Sequence, residues 1–134
     1  MENIIWGYHT GSQGELKAYY PGDEYVDIIG HSVYHLHGNP ELDFYDYDWA
    51  VAKKKQHAKI IWIPELGINS PDLPPRDCYD VLVRLEQDYP ELAGMVWWSD
   101  TGMHNVTGNA NGEAFARDER IISLDELPDW KAYR

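Results

Sequence analysis

One carboxylate in this sequence follows directly on a short apolar segment. The segment, residues 59–65 (KIIWIPE), is rich in β-branched side chains and is followed by Leu66 and Gly67. Apolar runs of this length that end at a turn signal are typical of strands buried on both faces of a parallel sheet. Because α/β folds collect their chemistry at the carboxyl ends of such strands, we predict that Glu65 lies at a functional site. The alternative is a structural carboxylate satisfied by local hydrogen bonds.

The segments around Glu65 alternate between strand and helix patterns. Strands are predicted at residues 3–8, 26–34, 59–65 and 94–99, long helices at 42–57 and 76–88, and a short helix at 118–130. This alternation predicts an α/β fold with a four-stranded parallel sheet and right-handed crossovers. The length predicts a single domain spanning residues 1–134.

Composition excludes several classes of partner. The chain has 11 Lys and Arg against 23 Asp and Glu, a net charge of −12 that disfavours nucleic acid and anionic membranes. No apolar run approaches the roughly 18 residues of a membrane-spanning helix, and the N-terminal residues lack the pattern of a signal peptide. Cys78 is the single cysteine, so an internal disulfide is ruled out.

Aromatic residues are abundant, with six Trp and ten Tyr but only two Phe. Amphipathic rings in such excess suit a surface that stacks on sugars, although core and interface packing is the equally simple alternative. Side chains alternate along a strand, so one ring of the Trp97–Trp98 pair should face the core. Trp98 is the better candidate for stacking because it lies nearer the strand end.

Five stretches of the sequence resemble, in order, the C-terminal half of family-26 glycoside hydrolases, the β-mannanase family of (β/α)8 barrels. They are NIIWGY (3–8), YYPGDEYVDIIG (19–30), PELG (64–67), GMVWWSD (94–100) and RDERIISLDELP (117–128). The resemblance implies that the chain corresponds to strands five to eight, a four-stranded half of a TIM barrel.

The resemblance also implies roles for individual residues. Glu65 stands where the family has its catalytic nucleophile, and Tyr34 stands where a tyrosine hydrogen-bonds that nucleophile. The candidate substrate contacts are Trp6, Tyr8, His31, Trp97, Trp98 and Asp100. The chain departs from the family pattern at Ser32, where an aspartate is common, and at Pro64, where a threonine often precedes the nucleophile.

Strand alternation predicts how these side chains are oriented. Ile61, Ile63 and Glu65 should share one face of their strand, with two apolar residues beneath a carboxylate at the rim of a barrel interior. On the preceding strand, Gly30, Ser32 and Tyr34 should likewise share a face.

The second carboxylate of a retaining glycosidase has no counterpart in this sequence. Retaining catalysis uses a nucleophile and an acid/base about 5.5 Å apart, and the family carries its acid/base on strand four. Asp100, Glu24 and Asp27 are not convincing replacements. We therefore expect an enzyme only if another half of the barrel supplies that group, acting on a β-linked polysaccharide or oligosaccharide. A non-catalytic carbohydrate-binding or remnant module is the alternative, and a purely structural role is a third.

Four parallel strands cannot close a barrel, because they leave two free edges and an apolar concave face. Association with a second copy, as a homodimer, or with a complementary half-barrel would supply eight strands. An open sheet in a monomer is the remaining possibility.

No cofactor and no metal are expected. His35 and His37 are spaced to share a face, and His31 or His9 would have to supply a third ligand. No spacing motif supports that set, so surface histidines are the simpler interpretation.

Overall fold

The computed structural model of the protein describes residues 4–11, 14–34, 42–68, 74–98, 105–129 and 132. Four parallel strands form one sheet in the order in which they occur along the chain: β1 (Gly7–Thr10), β2 (Ile28–His31), β3 (Ile60–Leu66) and β4 (Gly94–Trp97). The predicted α/β class and the predicted parallel sheet are therefore confirmed.

The helices are α1 (Glu15–Ala18), α2 (Tyr47–His57), α3 (Cys78–Asp88) and α4 (Gly112–Ala116), with 3-10 turns at Asp23–Tyr25, Val106–Gly108 and Leu124–Glu126. The two long helices were predicted, but each begins later than expected, and β1 begins at Gly7 instead of residue 3. The C-terminal helix predicted at 118–130 is wrong within the described residues, which hold only a 3-10 turn there. The short α4 was not predicted.

Each long helix carries local signals for its position. Asp77 caps α3, since its side chain accepts a hydrogen bond from the backbone N–H of Tyr79 at 2.9 Å. The last turn of α2 holds three basic residues, Lys54, Lys55 and His57, where the helix dipole favours positive charge.

Both long helices pack on the same face of the sheet, which we call the helix-facing side. Its buried residues include Ile29 and Val33 from β2 and its extension, Ile61, Ile63 and Leu66 from β3, Tyr47 and Ala50 from α2, and Val81, Leu82 and Leu85 from α3. Strands in sequential order with crossovers of one hand place their helices on one side. The opposite side, the open face, therefore has no helix layer among the described residues.

The open face presents apolar side chains to solvent. Ile60 on β3 and Val96 on β4 are both exposed there. Their alternation with Ile61 and Met95, which contribute to the core, is what a two-sided parallel sheet requires. The sheet thus offers a second surface that is suited to burial.

The turn before β2 carries a hydrogen-bonded network at the opposite edge of the sheet from Glu65. Asp23 accepts hydrogen bonds from Lys53 and Tyr20, and the Lys53 ammonium lies 5.0 Å from the centre of the Tyr20 ring and 5.6 Å from that of Trp49. Burial acts to raise the pKa of the Asp23 carboxyl, but the hydrogen bonds from Lys53 and Tyr20 hold it below its usual value. This network fastens α2 to the chain segment that enters β2.

Candidate active site

The end of β3 contains a β-bulge. Gly30 of β2 pairs with Trp62 of β3, and Val33 pairs with Leu66. These two pairs are three residues apart on β2 but four residues apart on β3. The register with β4 shows the same shift between Ile63 and Leu66. One extra residue is therefore inserted into β3 relative to both neighbouring strands. Pro64 lies within this insertion, as expected for a proline in a central strand, which has no N–H to donate to the ladder.

The bulge decides the direction of Glu65. Ile61, Ile63 and Leu66 are all buried on the helix-facing side, so both residues between Ile63 and Leu66 are directed to the open face. The prediction that Ile61, Ile63 and Glu65 share a face is wrong, because the extra residue breaks the two-residue period. Glu65 reaches the open face only because the bulge reverses its phase.

Two hydroxyl groups hold the same oxygen of Glu65. The Oε2 atom accepts hydrogen bonds from Ser32 Oγ and from Tyr34 Oη, each at 3.2 Å. Glu65 is half-buried, and no residue in the described part of the chain donates a hydrogen bond to its Oε1. One oxygen is thus fixed and the other is left accessible. The structure places Tyr34 beside Glu65, as the family resemblance implied.

A histidine extends this cluster. His9, exposed on β1, has its Nε2 at 2.7 Å from Ser32 Oγ, and the register of β1 sets it opposite Gly30. His9 was considered in the sequence only as a possible metal ligand, and Ser32 only as a departure from the family. The predicted strand ended at residue 8, whereas β1 continues to Thr10, and its pairing with β2 directs His9 to the open face.

Trp62 lies across Gly30 beneath this cluster. An ideal Cβ built on Gly30 would lie 2.7 Å from the Cδ1 and Nε1 atoms of the indole and 2.8 Å from Cδ of Pro64. A glycine is therefore required for the ring to occupy this position. The indole Nε1 is buried and has no hydrogen-bond partner among the residues described.

The two neighbouring tryptophans of β4 lie on opposite sides of the sheet. The backbone N–H of Trp98 donates to the carbonyl of Leu66 at 2.9 Å, which places Trp98 at the same edge as Glu65, and 43% of its surface is exposed. Trp97 instead packs on the helix-facing side, with its ring centre 5.2 Å from that of Phe115. Trp97 therefore does not join Trp98 in one platform.

Tyr8 and Trp6 are distant from Glu65. Tyr8 pairs with Ile29 on the helix-facing side, and its ring meets that of Tyr20 edge-on at 5.6 Å. Burial raises the pKa of its hydroxyl. Trp6 is 55% exposed, but it bonds to Asp27 at the start of β2, about five residues and so roughly 17 Å along the strands from the level of Glu65. The expectation that these rings face the substrate beside Glu65 therefore fails.

His31 is a core residue. It is 1% exposed on the helix-facing side, with Nδ1 at 3.2 Å from Thr10 Oγ1 and 3.9 Å from the Asp46 carboxylate. Burial lowers the pKa of His31, and the nearby carboxylates of Asp46 and Asp43 oppose that shift. It does not reach the open face and so does not contact a ligand bound there.

Three residues named from the sequence, Asp100, His35 and His37, lie outside the described residues. Within the described ranges, no three His, Cys, Asp or Glu side chains are grouped in a way that would hold a metal ion. No helix in those ranges is long and apolar enough to cross a membrane.

A parallel sheet in sequential order, with helices on one side and a hydroxyl-bonded carboxylate at the carboxyl ends of its strands, is the arrangement found in part of a β/α-barrel. Residues 1–72 match Glycosyl hydrolase family 26, which is more than half of the chain. The chain belongs to this family. A comparison with curated proteins gives no match.

Two solved structures share the fold. The catalytic domain of the GH26 endo-β-1,4-mannanase of Bacillus sp. JAMB-750 is 22% identical with a TM-score of 0.71, covering 98% of this chain and 42% of that one. The Bacillus subtilis mannanase BCman is 24% identical with a TM-score of 0.63, covering 92% of this chain and 36% of that one. The chain thus spans about two fifths of each relative, which confirms the predicted half of a (β/α)8 barrel.

Proposed function

We propose that this chain is the nucleophile-bearing half of a retaining, mannanase-like glycoside hydrolase, with Glu65 as the nucleophile. The observation that carries the proposal is the arrangement of the Glu65 carboxylate, whose Oε2 accepts from Ser32 and Tyr34 at 3.2 Å each. Two donors on one oxygen orient the carboxylate and direct its other oxygen, Oε1, to the open face. Membership of glycosyl hydrolase family 26 supports the reaction class.

The reaction that we propose uses this geometry. Oε1 attacks the anomeric carbon while the glycosidic C–O bond breaks, and an acid on the other half of the barrel protonates the departing oxygen. This forms a covalent glycosyl ester on Glu65. The group that protonated the departing oxygen, now deprotonated, acts as a base and takes a proton from water. That water attacks the anomeric carbon and releases Glu65. Ser32 and Tyr34 remain bonded to the oxygen that does not react.

The substrate class we propose is a β-1,4-linked hexose polymer such as mannan. The solved structures that share the fold are described as mannanases, one of them an endo-β-1,4-mannanase. Trp98 supplies an exposed ring at the same edge as Glu65, and an indole face stacks well on the apolar face of a sugar ring.

The partner we propose is another half-barrel, which would cover the open face and pair with the free sides of β1 and β4. Either a second copy of this chain or a complementary half, joined or separate, satisfies that geometry. The net charge of −12 favours a complementary half, because two copies would bring like charges together. Solution mass by light scattering tests the homodimer directly.

A substrate that needs no acid tests Glu65 in this chain alone. A β-mannobioside with a 2,4-dinitrophenolate leaving group, fluorinated at C2 of the reacting sugar, should release one equivalent of dinitrophenolate and leave the sugar on Glu65. Peptide mass spectrometry then locates the ester. Glu65→Gln should abolish the burst, whereas Glu24→Gln, an exposed control at the other edge of the sheet, should not. A modified peptide without Glu65, or no burst in the wild type, would refute the nucleophile assignment.

A non-catalytic carbohydrate-binding module is the second candidate. It is favoured by the lack of a convincing acid/base carboxylate in this sequence. In that case calorimetry with mannohexaose should detect binding without hydrolysis, and Trp98→Ala should abolish it. Trp6→Ala is the matched control, since this exposed ring lies at the opposite edge. If neither the wild type nor the Trp6→Ala control binds mannohexaose, a purely structural role is the remaining candidate.

A further inference from the structure

The contact between His9, Ser32 and Glu65 is constrained by a single proton. Ser32 Oγ lies 2.7 Å from His9 Nε2 and 3.2 Å from Glu65 Oε2, and a serine hydroxyl carries one hydrogen. If Ser32 donates to Glu65, His9 must donate to Ser32. If Ser32 donates to His9, its oxygen faces the carboxylate oxygen with no proton between them, which is repulsive.

The state of His9 therefore decides how many hydrogen bonds Glu65 receives. An Nε2–H imidazole lets both Ser32 and Tyr34 donate to Oε2. An Nδ1–H imidazole accepts at Nε2, draws the Ser32 proton away, and leaves Tyr34 as the one hydroxyl donor among the described residues. A charge-assisted hydrogen bond of this kind stabilises and orients a carboxylate more than a neutral one does.

We propose that His9 is a positioning residue for Glu65, acting through Ser32 as a donor chain from Nε2–H to Oγ–H to Oε2. The inference rests on the proposed role of Glu65 and adds a residue that acts on it from the neighbouring strand. His9 is suited to this position because it is exposed on β1 and opposite Gly30, so no side chain separates it from Ser32.

The same atoms fit a serine nucleophile less well. A serine beside a histidine base is the arrangement of acyl-transfer enzymes. Ser32, however, is only 4% exposed, so a substrate carbonyl has little access to Oγ. The neighbouring Glu65 carboxylate would also oppose the negative charge that develops in acyl transfer. A donor in the middle of a chain needs no such access.

Nitrogen NMR of the intact chain tests the direction of the hydrogen bonds without requiring activity. Long-range 15N–1H spectra at alkaline pH distinguish the Nε2–H from the Nδ1–H tautomer, and the His9→Gln variant assigns the His9 signals. We expect the Nε2–H tautomer in the wild type and a mixed population in Ser32→Ala. A predominant Nδ1–H form of His9 in the wild type would overturn the proposal.

Kinetics with the dinitrophenyl substrate tests the consequence for Glu65. His9→Leu removes the donor to Ser32 Oγ, so the Ser32 hydroxyl is no longer held in position toward Oε2, and the burst rate should fall about fivefold, as expected for the loss of one neutral hydrogen bond. His9→Gln keeps an N–H donor and should recover most of the rate, while mannohexaose affinity stays unchanged in both. Equal rates in His9→Leu and wild type would refute the positioning role. A separate assay with the ester p-nitrophenyl acetate tests the serine-nucleophile alternative, which would be favoured if the wild type hydrolyses this ester and Ser32→Ala does not. A wild type with no burst but an Nε2–H His9 would instead refute the proposed function and retain the donor chain.

Discussion

Gly30 is the position where a single methyl group should disturb the site most. A Cβ there would lie 2.7 Å from two atoms of the Trp62 indole and 2.8 Å from Cδ of Pro64. Ordinary contacts of a Cβ atom begin near 3.4 Å, so both neighbours would have to move by about 0.6 Å or more. Pro64 belongs to the bulge, and Trp62 lies two residues before Pro64 on the same strand. Gly30→Ala should therefore shift the backbone that directs Glu65.

The magnitude follows from the cost of overpacking. Forcing an extra methyl group into a filled space costs about 1–3 kcal/mol. For a domain of this size, that corresponds to a decrease in Tm of roughly 3–15 °C. Thermal unfolding followed by circular dichroism measures the decrease, and the tryptophan fluorescence of the folded variant reports the movement of Trp62.

Two glycines provide matched controls on the same face of the sheet. A Cβ on Gly7 or on Gly94 would meet nothing within 4 Å. Gly7→Ala and Gly94→Ala should therefore unfold at nearly the wild-type temperature. Combining Gly30→Ala with Trp62→Leu should recover part of the stability, because the smaller side chain vacates the space. If Gly30→Ala is as stable as the two controls, the steric reasoning about Trp62 and the bulge is refuted.

Three further predictions concern the starts of α3 and α4. Burial raises the pKa of the Cys78 thiol to about 11, so iodoacetamide at pH 8 should alkylate it only on unfolding. Folding stability should decline as the pH rises from about 9 through 11, because the thiol of the unfolded chain ionises first. Rapid alkylation of the native chain would contradict the burial. Asp77→Ala removes the cap of α3 and should lower the free energy of unfolding by about 1 kcal/mol, against little change for the exposed Asp80→Ala, measured by urea denaturation. Gly112→Ala would bring a Cβ within 1.9 Å of the Val106 carbonyl oxygen, so we expect poor yield of folded protein in a solubility assay, and normal folding would exclude the tight turn described.

The sequence predicted the fold well because its signals are local and repeated. Strands of apolar residues alternate with helices that carry caps and complementary charges, and a parallel sheet in sequential order follows from that alternation. Boundaries were less accurate. The first strand was expected at residues 3–8 but spans Gly7–Thr10, and its pairing with β2 directs Tyr8 to the core and His9 to the open face. A strand start is set by pairing with β2, which no local pattern encodes.

The sequence predicted the pair of Glu65 and Tyr34 at the site, but not the positions of the residues around them. Glu65 and Tyr34 are together because both lie at the carboxyl ends of neighbouring strands, a relation that chain order alone predicts. Trp97 and Trp98 divide between the two faces, as alternation requires. His31 was named as a candidate substrate contact, yet its phase on β2 buries it on the helix-facing side. Family position indicated which residues to consider, and strand phase decided where each one points.

The bulge explains why Pro64 and Glu65 occur in succession. In a regular strand Glu65 would follow Ile61 and Ile63 to the helix-facing side, where an unpaired carboxylate would cost several kcal/mol. The added residue turns the carboxylate to the open face instead, where two hydroxyls bond it. Proline is tolerated in this central strand because the bulge interrupts the ladder at that point. Gly30 and Trp62 hold the bulge from below, so the direction of the carboxylate depends on packing one layer beneath it.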